Sequence, residues 1–249
     1  MKSRNFIYLV ISLLSSVVVM NSCVSDENGS GDQTEKVPSA VFNPNLTYGS
    51  MTDQDGNVYK TITIGTQTWM AENLRTTKFR NGDPIANETD DAKWVALTSS
   101  AYCIYNNDAS FKSTYGLLYN WYAANDSRII APTGWHVPTG SDWSTLSDFL
   151  GHNSVAGFKL KESDTIHWAK IVKYGLTPST NESGFTALPG GNRNNLSCSG
   201  MRQSGGWWIV GHTSSAGNIG YRYLEVGSDY FDSKNALYYL GLSIRCVKD

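Results

Sequence analysis

Regular alternation of apolar and polar residues marks the stretches of this chain that are predicted to form β-strands with one buried face. Residues 58–64 alternate in this way, Gly65-Thr66 suits a tight turn, and residues 67–70 return as the partner strand. Shorter runs at 207–210 and 221–226 also predict strands. The clearest alternation predicts a closing strand whose buried side carries Tyr238, Leu240, Leu242, Ile244 and Cys246.

Helical spacing of apolar residues occurs in the stretch 115–151, which we call the central stretch. It predicts two helices, one through Leu117, Leu118, Trp121 and Tyr122 and one through Trp143, Leu146, Phe149 and Leu150. Ser141 is expected to cap the second helix, with Asp142 in its first turn. Between the helices, Trp135 and Val137 predict a short strand. Two helices beside a strand need a sheet to pack against, which favours an α+β domain.

The segments before and after the hairpin carry weaker signals. Residues 53–57, Asp-Gln-Asp-Gly-Asn, are predicted to form a turn, because the glycine falls in the wrong place for a calcium-binding loop of the EF-hand type. Residues 76–100 are polar and irregular, with a short helix expected near residues 90–94.

The first residues have the pattern of a secretory signal peptide, predicted over residues 1–22. Lys2 and Arg4 precede a mostly apolar run at 6–20, which is too short to span a bilayer comfortably. The ending VVVMNSC resembles a bacterial lipoprotein signal, which implies that Cys23 is acylated (as by palmitate) and holds the chain to the outer membrane. An ordinary signal peptide with a chance cysteine is the alternative.

Residues 23–50 are poor in large apolar side chains and are predicted to be a flexible tether, followed by one domain at 51–249. The acidic Ser25-Asp26-Glu27 resembles the tag that exports such lipoproteins to the cell surface; plain linker polarity explains it equally well. The domain of about 200 residues is long enough to bury a full core.

Composition and charge exclude one class of partner. The 249 residues are 40% hydrophobic and 17% charged, with a net charge of −2 that becomes −4 once Lys2 and Arg4 leave with the signal peptide. A nucleic-acid binder needs a basic surface, which this balance does not supply.

Several motifs resemble the Fibrobacter succinogenes major paralogous domain, a family common on secreted and lipid-anchored proteins of Bacteroidetes. They are TITIGTQTWMAENLRTTKF, YCIYNND, YGLLYNWYAA, PTGWHVPTGSDWSTLSDFLG, TNESGFTALPGGNRN and GLSIRCVKD, in order between residues 53 and 249. The resemblance implies a C-type-lectin-like fold, with short twisted antiparallel sheets, two flanking helices and long loops.

The resemblance also bears on the cysteines. The family usually has Cys at the position of Ala131, and the resemblance implies that it pairs with the Cys of the last strand. Here Cys246 lacks that partner, and outside the cytoplasm an odd number of cysteines leaves at least one unpaired. Cys246 is expected to be a buried unreactive thiol or to bridge to Cys103 or Cys198.

No catalytic motif is found in the sequence. The four histidines (His136, His152, His167 and His212) form no zinc signature, and there is neither a serine nucleophile elbow nor a phosphate loop. The sulfatase-modifying relatives of the family act through paired reactive cysteines; Cys198 and Cys246 are not assigned this role, because the expected fold already explains Cys246 and nothing else points to Cys198. The sequence therefore predicts a protein that is not an enzyme and needs no metal or cofactor.

Ligand binding is favoured by the aromatic residues between 192 and 239, which lie among Gly, Ser and Asn, a mixture suited to sugar rings. Asn192, Arg193, Trp208 and Tyr221 are the candidate ligand-binding residues; the competing interpretation is that these rings form the core. For calcium, the nearest carboxylates are Glu225, Asp229 and Asp232, whose spacing is not diagnostic.

Taken together, these patterns predict a surface-exposed outer-membrane lipoprotein with a non-catalytic extracellular domain that binds a glycan or a protein. The alternative is a structural or assembly subunit of a surface complex. A glycan binder should have a shallow cleft of aromatic and amide groups, whereas an assembly subunit should have a broad apolar patch or an open strand edge.

Overall fold

Thirteen strands and five α-helices are found in the part of the chain that the computed structural model describes, residues 37–163, 165–170, 178–213 and 219–249. The strands are β1 (Gly49–Thr52), β2 (Val58–Ile64), β3 (Gln67–Met70), β4 (Ala86–Asn87), β5 (Ala101–Cys103), β6 (Leu118–Tyr119), β7 (Trp135–His136), β8 (Gly190–Arg193), β9 (Cys198–Met201), β10 (Ser204–Thr213), β11 (Ile219–Glu225), β12 (Asp232–Ala236) and β13 (Val247–Lys248). The helices are α1 (Asp91–Ala96), α2 (Lys112–Tyr115), α3 (Trp121–Ala124), α4 (Gly140–Phe149) and α5 (Asn153–Leu160).

The predicted hairpin forms and lies within the first sheet, whose antiparallel strands follow the order β1-β2-β3-β13-β7. Strands β2 and β3 join at Gly65, where a φ of 60° in the left-handed region is available to glycine without steric cost. The preceding residues form the predicted turn, because the carboxylate of Asp53 accepts hydrogen bonds from the backbone N–H groups of Asp55 and Asn57.

Two further sheets are mixed. The second has the order β12-β11-β10-β8-β9, with only β10 and β8 parallel, at Gly205 and Gly191. The third has the order β4-β5-β6, with β4 and β5 parallel. The strands predicted at 207–210 and 221–226 are confirmed as parts of β10 and β11. The architecture is α+β, with curled, mainly antiparallel sheets and short helices.

The second sheet separates the two larger cores of the domain. Because neighbouring strand residues point to opposite faces, Trp207 and Trp208 of β10 enter different cores. Trp208 packs with Trp121, whereas Trp207 joins the core that holds Trp69 and Trp143, whose ring centroids lie 4.6 Å apart. The rings that the sequence singled out in β10 therefore stabilise the fold from within.

The central stretch keeps both predicted helices, but the first is wrong in its first half. Leu117 is not helical and Leu118 lies in strand β6, so that only Trp121 and Tyr122 belong to a helix, the single turn α3. The second helix, α4, begins two residues earlier than expected, because Thr139, and not Ser141, is the N-cap. Thr139 and Asp142 form a reciprocal capping box in which each side chain accepts a hydrogen bond from the other residue's backbone N–H.

The closing strand predicted at residues 238–246 is wrong, because the strand that closes the sheet lies directly after this run. Only Val247–Lys248 forms a strand, and the segment before it makes isolated bridges at Gly241, Leu242 and Ser243. Ser243 and Arg245, expected on an open face, are 2% and 1% exposed. Both sides are buried because Arg245 lies inside the domain, where it donates hydrogen bonds to Asn73 Oδ1 and to the carbonyl oxygens of Phe185 and Thr186.

The folded unit begins before residue 51, which corrects the predicted end of the tether. Phe42, Leu46 and Tyr48 pack against the core that holds Trp69, and the backbone N–H of Val41 donates to Glu162 Oε1 at 2.6 Å. The predicted signal peptide and Cys23 lie outside the described residues. Among the helices that are described, none has the length and apolar character required to cross a membrane.

Candidate functional site

A shallow cleft of about 280 Å³ opens beside α3 and β7. Most of its lining comes from the central stretch of the sequence, and the residues that matter below are Asn125, Asp126, Ile129, Trp135, His136 and Asp249. Its volume lies just below the usual range of about 300–1,000 Å³ for small-ligand sites. Polar groups and apolar walls therefore meet in a space of the size of one or two small rings.

The C-terminal end of the one-turn helix α3 contributes to the lining of the cleft. Asn120 caps this helix through Oδ1, which accepts from the backbone N–H groups of Ala123 and Ala101. The helix ends at Ala124, and Asn125, its C-cap, is exposed. The next residue, Asp126, is half-buried.

Asp126 is held in place by Arg128 and Ser100. Arg128 donates from its backbone N–H and from its guanidinium at 2.8–2.9 Å, and the hydroxyl of Ser100 donates at 2.6 Å. These hydrogen bonds, that of the Arg128 side chain first, hold the pKa of the Asp126 carboxyl far below its usual range. Asp126 is therefore a fixed, ionised carboxylate at the cleft, and its two oxygens already accept four hydrogen bonds from Arg128 and Ser100.

Ile129 is strained at the rim of the cleft. Its φ is 61°, in the left-handed region that β-branched residues rarely adopt, and its side chain is 43% exposed. Two backbone hydrogen bonds hold the conformation, from Ile129 N–H to Asp126 and from Arg80 N–H to Ile129. Strain of this kind is found disproportionately at functional sites, and here it places an apolar side chain next to Asp126.

His136 joins two carboxylates along the opposite wall. Its Nδ1 atom lies 2.7 Å from Asp249 Oδ1, and its Nε2 atom lies 3.2 Å from Asp142 Oδ2. Burial acts to raise the pKa of Asp142, but hydrogen bonds from Thr139 and His136 lower it overall. The ring is thus fixed by both of its nitrogens while its side chain stays 39% exposed.

Arg80 fixes the turn below this wall. Its guanidinium donates to the backbone carbonyl oxygens of Ala131, Pro132 and Trp135 at 2.7–2.9 Å. Because three carbonyl oxygens accept from it, the Arg80 guanidinium holds the Pro132-Thr133-Gly134 turn in one conformation. The cleft is therefore preorganised by groups from distant parts of the chain.

Two of the sequence-predicted ligand residues are buried, which corrects their assignment. Trp208 is fully buried, and its indole N–H donates to the carbonyl oxygen of Tyr119 at 2.7 Å. Arg193 is 1% exposed and lies 4.6 Å from the centroid of the Trp94 ring. Since neither side chain reaches the surface, neither is available to a ligand outside the protein.

The other two predicted residues are half-buried and lie apart from the cleft. Asn192, on β8, accepts from the hydroxyl of Ser199 at 3.3 Å. Tyr221, on β11, lies between Trp208 and Tyr223, with ring centroids 6.5 Å and 6.2 Å away. The four residues therefore form no common site. The cleft residues Asn125, Asp126 and Asp249 were missed, and only their place in or beside the family-like motifs could have pointed to them.

The carboxylates considered for calcium do not form a cation site. In the described ranges, no group of three or more His, Cys, Asp or Glu side chains is placed to hold a metal ion. The ammonium group of Lys161 already lies at the loop near Glu225, where its Nζ atom donates to the carbonyl oxygens of Glu225 and Ser228. Burial lowers the pKa of this lysine to about 8.

The predicted bridges to Cys246 are also not formed. Cys246 is fully buried in the core that contains Ala131, and burial raises the pKa of its thiol. Cys103 and Cys198 lie together in a different, smaller core. Of the two expected states, a buried thiol or a bridge to Cys103 or Cys198, Cys246 therefore has the first.

The fold and the cleft define a mixed α+β domain of curled antiparallel sheets with one preorganised surface site beside its central stretch. The chain belongs to the Fibrobacter succinogenes major domain family, whose sequence profile matches residues 62–248. This confirms the resemblance seen in the motifs. Neither the curated proteins nor the solved structures that were searched contain a match.

Proposed function

We propose that this protein is a surface-exposed lipoprotein whose folded domain is a non-catalytic binding module, and that the cleft beside α3 binds a saccharide. The leader and Cys23 support anchoring to the outer membrane by acyl chains. The curled antiparallel sheets and short helices support a C-type-lectin-like arrangement as the finer description of the fold.

The observation that carries this proposal is the make-up of the cleft. A sugar presents hydroxyl groups around an apolar ring face, and the cleft presents polar groups beside apolar walls. Asn125 supplies an exposed amide on one side, and Ile129 and Trp135 supply apolar surface. Because Arg128 and Ser100 hold Asp126 and Arg80 holds the turn at Pro132, the backbone around the cleft is already ordered, and little conformational entropy is lost when a ligand binds.

The state of Asp126 supports binding over glycoside cleavage. Cleavage needs one carboxyl group with a raised pKa that donates a proton to the leaving oxygen. Arg128 and Ser100 have the opposite effect and keep Asp126 ionised. In this arrangement the carboxylate accepts hydrogen bonds and is unsuited to act as a general acid.

Assembly into a surface complex is the second candidate, and one observation favours it. Tyr122 and Tyr238 stack with centroids 5.6 Å apart, and Tyr238 and its neighbour Leu237 are 40% and 58% exposed. The edge strand β12 argues against simple strand addition, because its first four residues are exposed and polar and include Asp232 and Lys234. A saccharide in the cleft is therefore the better supported function.

A glycan array probed with the purified protein, with and without calcium, tests the proposal. We expect saccharides to bind in both conditions, because the cleft supplies its acceptors without a metal. An array without any bound saccharide, together with a stable protein partner recovered from the cell surface, would favour assembly.

A further inference from the structure

Two cysteines from different sheets meet beside a buried arginine. Cys103 ends β5 of the third sheet, and Cys198 begins β9 of the second. Both pack in the small core that contains Trp94, and the thiol of Cys103 donates a hydrogen bond to the sulfur of Cys198. Both residues are free thiols that interact with each other within this core.

The groups around this pair favour a thiolate on Cys198. Its sulfur accepts hydrogen bonds from Cys103 and from the backbone N–H of Asn106, and the guanidinium of Arg193 lies near. These interactions, that with Cys103 first, lower the pKa of the Cys198 thiol to about 7 although burial opposes the change. The bond to Cys198 and burial raise the pKa of Cys103 well above its ordinary value.

Arg193 places a buried positive charge beside this pair. The side chain is 1% exposed and its guanidinium donates to Asp91 Oδ1 at 2.7 Å, while its Nε atom has no hydrogen-bond partner in the part of the chain that the structure describes. A buried unsatisfied donor costs free energy unless another group receives it. The guanidinium also interacts with the Cys103 side chain, so a thiolate formed at the sulfur pair is placed beside a positive charge.

Access distinguishes the two sulfurs. Cys198 is half-buried, whereas Cys103 is fully buried. A reagent from solution therefore reaches Cys198 first, and Cys103 is placed to react only with a partner that is already attached to Cys198.

We propose that Cys103 and Cys198 form a reversible disulfide, with Cys198 as the attacking thiol and Cys103 as the resolving thiol. The oxidant is a disulfide compound or a disulfide-carrying protein of the extracytoplasmic space, where the predicted leader sends the chain. The bridge joins β5 to β9 and so ties the third sheet to the second.

The exchange has two steps. The Cys198 thiolate attacks one sulfur of the oxidant, whose S–S bond breaks, and the first leaving thiolate takes a proton from water. Cys103 then loses its proton to water, and its thiolate, stabilised by Arg193, attacks Cys198 Sγ. The mixed disulfide breaks and the second thiolate leaves and is protonated. Two cysteine thiols lose two electrons in total, and the oxidant's disulfide becomes two thiols.

Peptide mapping without reduction tests the pairing. The purified protein is equilibrated with oxidised glutathione, alkylated, digested and analysed by mass spectrometry. We expect the Cys103 and Cys198 peptides to be joined and Cys246 to be alkylated only after unfolding. Reduction should lower the Tm by about 10 °C, as expected for a bridge that closes a loop of this size in a domain of about 200 residues. Recovery of both peptides with free thiols, or of either one joined to Cys246, would overturn the pairing.

Single substitutions test the two roles. Cys103→Ser should leave Cys198 able to form a mixed disulfide with glutathione, whereas Cys198→Ser should leave Cys103 unmodified in the folded protein. Cys246→Ser is the matched control and should retain the Cys103–Cys198 bridge. Modification of Cys103 in the Cys198→Ser protein would overturn the assignment of the attacking thiol.

Discussion

The Nδ1 atom of His136 lies 2.7 Å from the Oδ1 atom of Asp249, which ties strand β7 to the residue that follows strand β13 at one wall of the cleft. Strands β7 and β13 are neighbours in the first sheet, so this contact joins side chains across a backbone pairing that already exists. The pair can therefore orient groups in the cleft without being needed to hold the sheet together.

This relationship predicts that removing the His136 side chain affects ligand binding more than it affects the stability of the domain. The side chains of His136 and Asp249 are 39% and 55% exposed, and exposed ion pairs contribute only about 0–1 kcal/mol. His136→Ala should lower the free energy of unfolding in urea by no more than about 1 kcal/mol and should weaken saccharide binding. A large loss of stability would show instead that His136 is mainly structural.

The lowered pKa of Asp126 predicts a particular acid response. A carboxyl whose pKa is lower in the folded state stabilises the protein at pH values above its unfolded pKa, of about 4. That stabilisation is lost as the pH falls from this value toward the folded pKa.

The Asp126→Asn protein should therefore be less stable than the wild type at neutral pH, and the difference should narrow below pH 4, as measured by urea unfolding at a series of pH values. Asp148→Asn is the control, because Asp148 is 65% exposed and its ion pair with His152 lies at the surface. A constant difference across the pH series would contradict the assigned role of Asp126.

Asn73 is predicted to be the most sensitive amide in the core. Its Oδ1 atom accepts from Trp207 Nε1 and Arg245 Nε, and its Nδ2 atom donates to the carbonyl oxygen of Tyr115 and to Ser243 Oγ. Asn73→Ala leaves several buried groups without partners and should cost at least about 3 kcal/mol of unfolding free energy.

The exposed Asn87 on β4 provides the matched control for this measurement. Asn87→Ala should change the free energy of unfolding by no more than about 0.5 kcal/mol. Equal effects of the two substitutions would show that the Asn73 hydrogen bonds do not stabilise the domain.

The segment before β1 is predicted to be part of the folded unit. A chain that begins at residue 51 loses the packing of Phe42 and Tyr48 and leaves the buried Glu162 without the N–H of Val41. Its Tm should be about 10 °C below that of a chain that begins at residue 37, since the lost burial amounts to about 3 kcal/mol. Phe42→Ala in the longer chain should give a smaller decrease, and identical Tm values for the two chains would restore the boundary at 51.

Local sequence patterns correctly predicted the elements that depend on residues close together in the chain. The hairpin at 58–70 forms as expected, because its alternation, its turn glycine and its partner strand all lie within a few residues. The helix α4 was predicted for the same reason, although the competition between Thr139 and Ser141 for the cap depends on which side chain reaches Asp142.

The other features of the fold and the cleft depend on contacts between residues far apart in the sequence, which local patterns do not reveal. Alternation at 238–246 suggested one open face, but Arg245 has partners at Asn73 and Phe185, far along the sequence, so that both faces are buried. The cleft likewise combines the central stretch with Arg80 and Asp249. Aromatic composition alone could not distinguish Trp208, which is core, from a ring that meets a ligand.

Titration calorimetry with a saccharide that binds on the array would locate the binding site. The wild-type protein is compared with Asn125→Ala, which changes an exposed amide in the cleft, and with Asn87→Ala, which makes the same change on β4. The Asn125→Ala protein should bind at least about 10-fold more weakly, a loss of about 1.4 kcal/mol, while Asn87→Ala should bind as the wild type does. Equal affinity of all three proteins for the saccharide would contradict a binding site in this cleft.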